Sequence, residues 1–121
     1  MLKILLSRVR KMKKGKPEEE KGSLKNYNKA IKSNPDNPDG YFNRANLKFK
    51  LGSYQDAIKD YNRAIRLNPE HLQAYHSRAI AKDRLNYYNG AIADYNFILK
   101  KDPSDLLARK NKGIIQQRFI G

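Results

Sequence analysis

The sequence predicts an all-α fold in which helical hairpins stack into a solenoid. Three observations predict it: the chain matches itself when it is shifted so that Tyr41 falls on Tyr75, apolar residues recur at helical spacing inside each repeat, and glycine, serine and proline stand where helices should begin or end. With 121 residues, of which 39% are hydrophobic, the chain can bury a modest core. A period of this length indicates stacked units, each too small to bury its own apolar face.

The repeat is carried by twelve residues that are identical in two consecutive units. They are Tyr41, Arg44, Ala45, Lys48, Leu51, Tyr54, Ala57, Ile58, Asp60, Tyr61, Asn62 and Pro69, each of which recurs 34 positions later. The segment 27–35 anticipates 61–69 in the same way. The period therefore begins before the first complete unit.

Each unit is expected to form two helices joined by a short turn. In the first complete unit, one helix is expected over 39–51 and to end at Gly52, because glycine adopts the left-handed conformation at little cost. The second helix begins after Ser53, a suitable N-cap, and ends near Leu67 because Pro69 cannot continue it. Its apolar residues fall at i, i+3, i+4 and i+7, which is the spacing of one buried stripe.

The period divides the chain into five parts. They are a basic amphipathic N-terminal segment (1–19), the second helix of an incomplete first repeat (20–37), two complete repeats (38–71 and 72–105), and the first helix of an incomplete last repeat or a C-terminal cap (106–121). In the second complete repeat, Asn86 replaces the turn glycine and Ile98 replaces the alanine that corresponds to Ala64.

These residues resemble a known family. The 34-residue period, the run Gly52, Tyr54, Ala57 and Ile58, and the proline that closes each unit resemble the tetratricopeptide repeat. The resemblance implies about seven helices in a right-handed superhelix whose first helices line a concave groove. It also implies a non-catalytic function, the binding of a partner protein or peptide.

The resemblance places a candidate peptide-binding site on the concave face. Its residues are Phe42, Asn43, Asn46, Phe49, Lys50, His76, Ile80, Arg84, Lys110, Asn111 and Arg118. Phe42, Phe49 and Ile80 are expected to be apolar anchors, because neither helix packing nor solubility asks for apolar residues there. Asn43 and Asn46 can each hydrogen-bond an extended backbone through donor and acceptor. The four cations of the set favour an acidic ligand.

One known use of the family can be compared residue by residue. Some members clamp the acidic C-terminal tails of cytosolic chaperones with a lysine and two asparagines from the first two units and a lysine and an arginine from the third. Asn43 matches one asparagine, and Arg8 can stand in for the first lysine. Met12 replaces the other asparagine, whereas Gln73 and Ser77 replace the third-unit lysine and arginine. The clamp is therefore not assembled, and chaperone-tail binding is not predicted.

No catalytic site, metal site or cofactor is expected. The chain has no cysteine, and His71 and His76 lack the i, i+4 spacing that helical metal ligands favour. Asp56 and Asp60 are expected on the polar side of their helix, beside basic neighbours that form ordinary i, i+4 pairs. No phosphate-binding loop or nucleophile motif occurs, so an enzyme is not predicted.

The net charge of +14 is concentrated at the two ends of the chain. Residues 1–21 hold eight basic and three acidic side chains, and residues 106–121 hold four basic ones and no acid. A nucleic-acid reader more often shows a continuous basic stripe or stacking aromatics. Nucleic-acid binding through the ends is therefore a less favoured alternative than solvated charge.

Both ends leave further alternatives open. Residues 1–16 carry a basic amphipathic pattern that suits an N-terminal cap, a membrane surface or a targeting segment, and disorder is the remaining interpretation. In 106–121, Ile115, Phe119 and Ile120 are expected to be partly exposed, which suits a homo-oligomer or a piece of a longer array. No stretch is long and apolar enough for a membrane span, and a cytoplasmic location is expected.

Overall fold

A computed structural model describes residues 23–120 of the chain, and the side chains of residues 23–118. This part of the chain contains six helices and no strand. They are α1 (23–33), α2 (Pro38–Lys50), α3 (Tyr54–Leu67), α4 (Leu72–Arg84), α5 (Tyr88–Lys101) and α6 (Leu106–Ile120). The N-terminal segment 1–19, with its alternatives of cap, membrane surface and targeting signal, lies outside the described residues.

The helices pack in chain order. Helices α2 and α3 form one hairpin, and α4 and α5 form the next. Between units, α3 packs on α4, and α5 packs on α6. The first helices of successive hairpins, α2 and α4, touch each other directly. This order is what a solenoid of helical hairpins requires, because each unit buries its apolar face against its neighbours.

The turns inside the hairpins are closed by left-handed residues. Gly52 has φ +82° and Asn86 has φ +64°, so the asparagine takes the same conformation as the glycine that it replaces. In each turn the following residue donates its backbone N–H across the turn: Ser53 to the carbonyl of Lys48 at 2.9 Å, and Tyr87 to that of Lys82 at 2.8 Å. In the first complete unit, the helix ends predicted from the sequence lie within one residue of the observed ones.

Side chains cap three of the helices at their N-termini. Asn37 accepts a bond from the backbone N–H of Asp39 at the start of α2, and His71 Nδ1 accepts one from Ala74 at the start of α4. Asp105 caps α6 by accepting from the backbone N–H of a residue three positions on, at 2.9 Å. Ser53 stands at the N-cap position of α3, but its side chain makes no capping bond. The expectation that Ser53 caps α3 through its side chain is therefore wrong.

Small residues separate the packed helices. Ala45, Ala57 and Ala64 have no exposed surface, and their lack of a longer side chain lets neighbouring helix backbones approach closely. Tyr61 and Tyr95 fill the space around the alanines and are among the largest fully buried side chains. The core is therefore packed from small residues at the helix contacts and large residues around them.

The last helix buries one side that was expected to be exposed. Ile115 is only 1% exposed and packs with Ala108 into the cluster that contains Ile98. The prediction that Ile115 is uncovered is wrong, because α6 lays this residue against α5. The exposed apolar residues among the described side chains of α6 are instead Leu106, at 78%, Leu107, at 54%, and Ile114, at 41%. The side chains of residues 119 and 120 lie outside the described set.

A buried ion network links the two helices of the first hairpin. Arg44 donates to both carboxylate oxygens of Asp60, at 2.7 and 2.8 Å, and Lys48 lies 3.0 Å from the same carboxylate. Arg44 also reaches back to Asn28 on α1. The prediction that Asp60 lies on a solvated face beside cations of its own helix is wrong. It is buried, because α2 covers that side of α3.

The second hairpin repeats this network. Arg78 donates to Asp94 at 2.6 and 3.0 Å, Lys82 lies 3.2 Å from it, and Arg78 also reaches Asn62 on the preceding helix. Asp94 is 3% exposed. The repeat of the sequence is therefore also a repeat of buried charge.

None of the described helices is long and apolar enough to cross a membrane.

Candidate functional site

The first helices of the hairpins, α2, α4 and α6, form one face that contains two adjoining pockets. The α2–α4 pocket, of about 250 Å³, is lined by Asn46, Phe49, Tyr61, Ser77 and Ile80. The α4–α6 pocket, of about 280 Å³, is lined by Ile80, Asp83, Arg84, Tyr95, Asn111, Ile114 and Arg118. We call this face the groove. Ile80 belongs to both pockets, so the two form one continuous surface.

The α2–α4 pocket has apolar walls and a hydroxyl at its floor. Phe49 and Ile80 supply the walls, and the Tyr61 hydroxyl donates to Asn46 Oδ1 at 2.6 Å. Burial raises the pKa of Tyr61 to about 12, against a smaller opposing effect of a hydrogen bond with Ser77. The phenol therefore stays protonated at physiological pH. The pocket can hold an apolar side chain while its edge hydrogen-bonds a backbone.

The α4–α6 pocket is polar and carries more positive than negative charge. Arg118 Nη1 donates to Asp83 Oδ1 at 2.7 Å, which leaves Arg84 as the second guanidinium of the pocket. Asn111 Nδ2 donates to the Tyr95 hydroxyl at 3.4 Å. Burial raises the pKa of Tyr95, although the bond from Asn111 opposes the shift. Two arginines facing one aspartate suit a ligand that brings a carboxylate.

Three other residues of the candidate site do not line either pocket. Asn43, Lys50 and Lys110 are exposed and make no hydrogen bond or ion pair within residues 23–118. They lie on the first helices, but the pockets do not include them.

His76 connects two helices. Its Nε2 lies 2.9 Å from Asp105 Oδ2, so it joins α4 to the start of α6. The backbone N–H of Ala108 and the imidazole of His76 hold the pKa of Asp105 below its usual value. The Nδ1 of His76 is buried and has no partner within the described residues. No group of three metal-ligating side chains gathers in that part of the chain.

Phe42 has a packing function, contrary to the sequence-based expectation. Its ring centroid lies 4.6 Å from that of His71 and 6.0 Å from that of Tyr61, and it packs on the buried cluster of the first hairpin. Phe49 also packs on this cluster, with its centroid 5.1 Å from that of Tyr54. The premise that helix packing does not require these two residues is wrong. Phe49 lines the pocket as well, whereas Phe42 does not.

The candidate site predicted from the sequence does not include Tyr61 and Tyr95. Both residues line the pockets, Tyr61 the α2–α4 pocket and Tyr95 the α4–α6 pocket. A tyrosine inside an apolar stripe in both repeats is the signal, since a buried hydroxyl needs a partner.

Two family models match the chain. One described as "Tetratricopeptide repeat" matches residues 38–71, and one described as "TPR repeat" matches residues 19–52. Together they cover the first complete hairpin and part of the preceding unit. No curated protein sequence matches the chain significantly.

Solved structures match over most of the chain. The first such domain of Spaghetti (RPAP3), bound to the HSP90 peptide SRMEEVD, is 27% identical with a TM-score of 0.80, covering 97% of this chain and 93% of that one. The Arabidopsis OM64 domain is 27% identical with a TM-score of 0.77, and the match covers 85% of each chain.

A third solved structure is similar as well. The second domain of human RPAP3, in complex with the HSP70 peptide SGPTIEEVD, is 25% identical with a TM-score of 0.75, covering 90% of this chain and 91% of that one. The matched family models, the repeated hairpins and these structures agree with one another. The chain belongs to the tetratricopeptide repeat family, and its fold is an all-α solenoid of helical hairpins.

Proposed function

We propose that the groove binds a peptide or protein segment without catalysing a reaction on it. The observation that carries the proposal is the α2–α4 pocket, where Phe49 and Ile80 form apolar walls beside the hydrogen-bonding groups of Tyr61 and Asn46. This combination suits an extended chain, because one side chain enters the pocket while its backbone bonds to the rim. The adjoining α4–α6 pocket lengthens the surface along the same direction.

Similar domains support the proposal. The Spaghetti domain is described as bound to an HSP90 peptide, and the RPAP3 domain as bound to an HSP70 peptide. We do not extend the chaperone-tail ligand to this chain. At the third-unit positions of the clamp it has the neutral residues Gln73 and Ser77, and Ser77 is engaged with Tyr61 at the pocket floor.

A selection experiment tests the proposal. Peptides from a random displayed library are selected on the wild-type protein and then measured against Ile80→Ser, which removes the residue common to both pockets. Leu106→Ser is the matched control, because it removes an exposed apolar side chain from α6 outside the pockets. We expect the selected peptides to lose at least about tenfold in affinity for Ile80→Ser and to keep their affinity for the control.

The opposite result is equally clear. If the selected peptides bind both variants as tightly as the wild type, or if no peptide is selected, the groove is not the binding surface. Circular dichroism of both variants ensures that the comparison is made between folded proteins.

Self-association through α6 is a second candidate, favoured by one observation. Leu106 and Leu107 are adjacent, and both are more than half exposed. Light scattering behind a sizing column, at low and high salt, tests it. A salt-independent dimer that Leu106→Ser combined with Leu107→Ser converts to a monomer supports self-association, and a wild-type monomer at both salts refutes it. The membrane or nucleic-acid adaptor alternative depends on the basic ends of the chain, of which residues 1–16 lie outside the described part.

A further inference from the structure

A row of cations runs along one edge of the groove. Lys50, Arg84 and Arg118 occupy the same position in α2, α4 and α6, because each follows the preceding one by a full period of the repeat. All three are exposed, and Arg84 and Arg118 line one pocket. We call these three residues the basic row. It crosses the whole described groove from its first helix to its last.

The basic row is available to a ligand, unlike the other repeated cations of the first helices. Lys50 and Arg84 make no hydrogen bond or ion pair with any residue in the described part of the chain. Arg118 pairs with Asp83, but 48% of its side chain remains exposed. By contrast, Arg44 and Lys48 are paired with Asp60. In the second hairpin, Arg78 and Lys82 are paired with Asp94.

The spacing of the basic row fits an extended peptide. The axes of packed helices lie about 8–10 Å apart. The helices α2 and α4 are in contact, and α4 and α6 line one pocket, so successive cations of the row lie on neighbouring helices. A polyproline II segment rises about 3.1 Å per residue with three residues per turn, so every third side chain points the same way about 9 Å further on. An acidic residue at every third position therefore meets one cation of the row after another.

We propose that the basic row binds the carboxylates of an extended acidic segment with an acid at every third position. The intervening apolar side chains, on the next face of the segment, lie towards the pockets beside Ile80. This inference rests on the proposed function and assigns the ligand class and register of the same groove. It also moves the acid-binding groups away from positions 73 and 77, where this chain carries glutamine and serine.

A nucleic acid fits the groove less well. Sequence-tolerant binding of single strands uses aromatic faces on which bases stack. The two phenylalanines of the candidate site, Phe42 and Phe49, pack against the buried cluster, and only Phe49 also lines a pocket, so they do not form a row of exposed ring faces. A carboxylate-bearing peptide with apolar side chains uses both the row and the pockets.

The position of these cations has a plainer explanation, which the experiment has to separate. Cations near the C-terminus of a helix interact favourably with its dipole, and all three residues lie in the last turn of a helix. If that explanation is complete, removing the three cations lowers the stability of the helices but does not change the affinity for acidic peptides, whatever the spacing of their acids.

The test uses two acetylated, amidated and fluorescein-labelled peptides of identical composition. ELPELPE places an acid at every third position and favours the extended conformation through its prolines, whereas EEELLPP has the same acids in one block. Fluorescence anisotropy with the wild-type protein should show ELPELPE binding more tightly, with an affinity that falls as salt rises.

A matched pair of triple variants locates the effect. Lys50→Gln, Arg84→Gln and Arg118→Gln together remove the basic row. Lys59→Gln, Arg66→Gln and Lys100→Gln remove the same charge from exposed positions of α3 and α5. Because each exposed ion pair contributes a few-fold in affinity, we expect the row variant to bind ELPELPE about tenfold more weakly and the control variant to bind it as the wild type does.

Three outcomes of this binding test would overturn the inference. They are equal wild-type affinity for the two peptides, equal losses in the two triple variants, and tighter binding of an oligothymidylate than of ELPELPE. The selection described above keeps the two proposals apart. Peptides that depend on Ile80 but lack spaced acids refute the basic row and leave groove binding standing, whereas failure to select any Ile80-dependent peptide refutes groove binding itself.

Discussion

Removing the buried carboxylate of the second hairpin should destabilise the protein far more than removing an exposed one. Asp94→Asn keeps the shape of the side chain but removes its charge. In the structure this carboxylate is 3% exposed, accepts two bonds from Arg78 and lies 3.2 Å from Lys82. The substitution therefore leaves two cations facing a neutral amide that can satisfy only part of their bonds.

The expected cost follows from this geometry. Breaking a buried ion pair by removing one partner costs about 3–5 kcal/mol. The side chains of Arg78 and Lys82 are 16% and 20% exposed, so they regain part of their hydration, and we expect about 2–3 kcal/mol. For a domain of this size that corresponds to a fall in Tm of about 8–12 °C. Asp60→Asn should behave alike, because Arg44 and Lys48 surround it in the same way.

The assay is urea-induced unfolding followed by far-ultraviolet circular dichroism. The control is Glu70→Gln, which breaks the exposed pair with Lys101 and should cost less than about 0.5 kcal/mol. A free energy of unfolding for Asp94→Asn within about 0.5 kcal/mol of the wild type would refute the reasoning. It would mean that the network contributes no more than a surface pair.

Three further predictions concern stability. Gly52→Ala should cost about 1 kcal/mol in urea unfolding, because its φ of +82° strains any side chain although no atom lies within 4 Å of the new methyl group; an unchanged midpoint contradicts this. Phe42→Ala should cost about 2–3 kcal/mol by the same measurement, because the ring packs on the buried cluster, and a neutral result would return it to a binding role alone. Burial raises the pKa of Asp60, but bonds from Arg44 and Lys48 outweigh it and hold the pKa below its usual value. The Asp60 carboxylate therefore stabilises the fold above pH ~4, and this stabilisation is lost as the pH falls through the pKa of Asp60 in the folded protein. In urea unfolding, the wild type should lose more stability on acidification than Asp60→Asn.

Local signals explain why the helix boundaries were predictable from the sequence. A left-handed turn needs glycine or asparagine, and Gly52 and Asn86 provide it at the same position of each repeat. The proline that closes each unit ends the second helix whatever residues follow it. These effects depend only on a few neighbouring residues, so they can be identified from the sequence alone. The buried tyrosines follow as well, because they belong to an apolar stripe at helical spacing.

The buried carboxylates were not predictable in this way. Asp60 has basic neighbours on its own helix, and nothing in the adjoining turns indicates that another helix covers it. The relevant signal lies on the preceding helix, where Arg44 precedes Asp60 by the same distance as Arg78 precedes Asp94. A charge pair repeated at a fixed distance between two predicted helices indicates a contact between them. The same reasoning applies to Ile115, whose burial depends on how α6 lies against α5.

The cations of the first helices show why a count of charges cannot locate the binding surface. Lys48 and Lys50 are two residues apart on α2, which places them about 200° apart around the helix axis. Lys48 therefore faces the carboxylate buried inside the hairpin, whereas Lys50 faces outward in the basic row. Lys82 and Arg84 repeat the arrangement on α4. Because the inner cation of each pair is neutralised within its own hairpin, we expect the charge available to a groove ligand to come from the outer one, repeated once per unit.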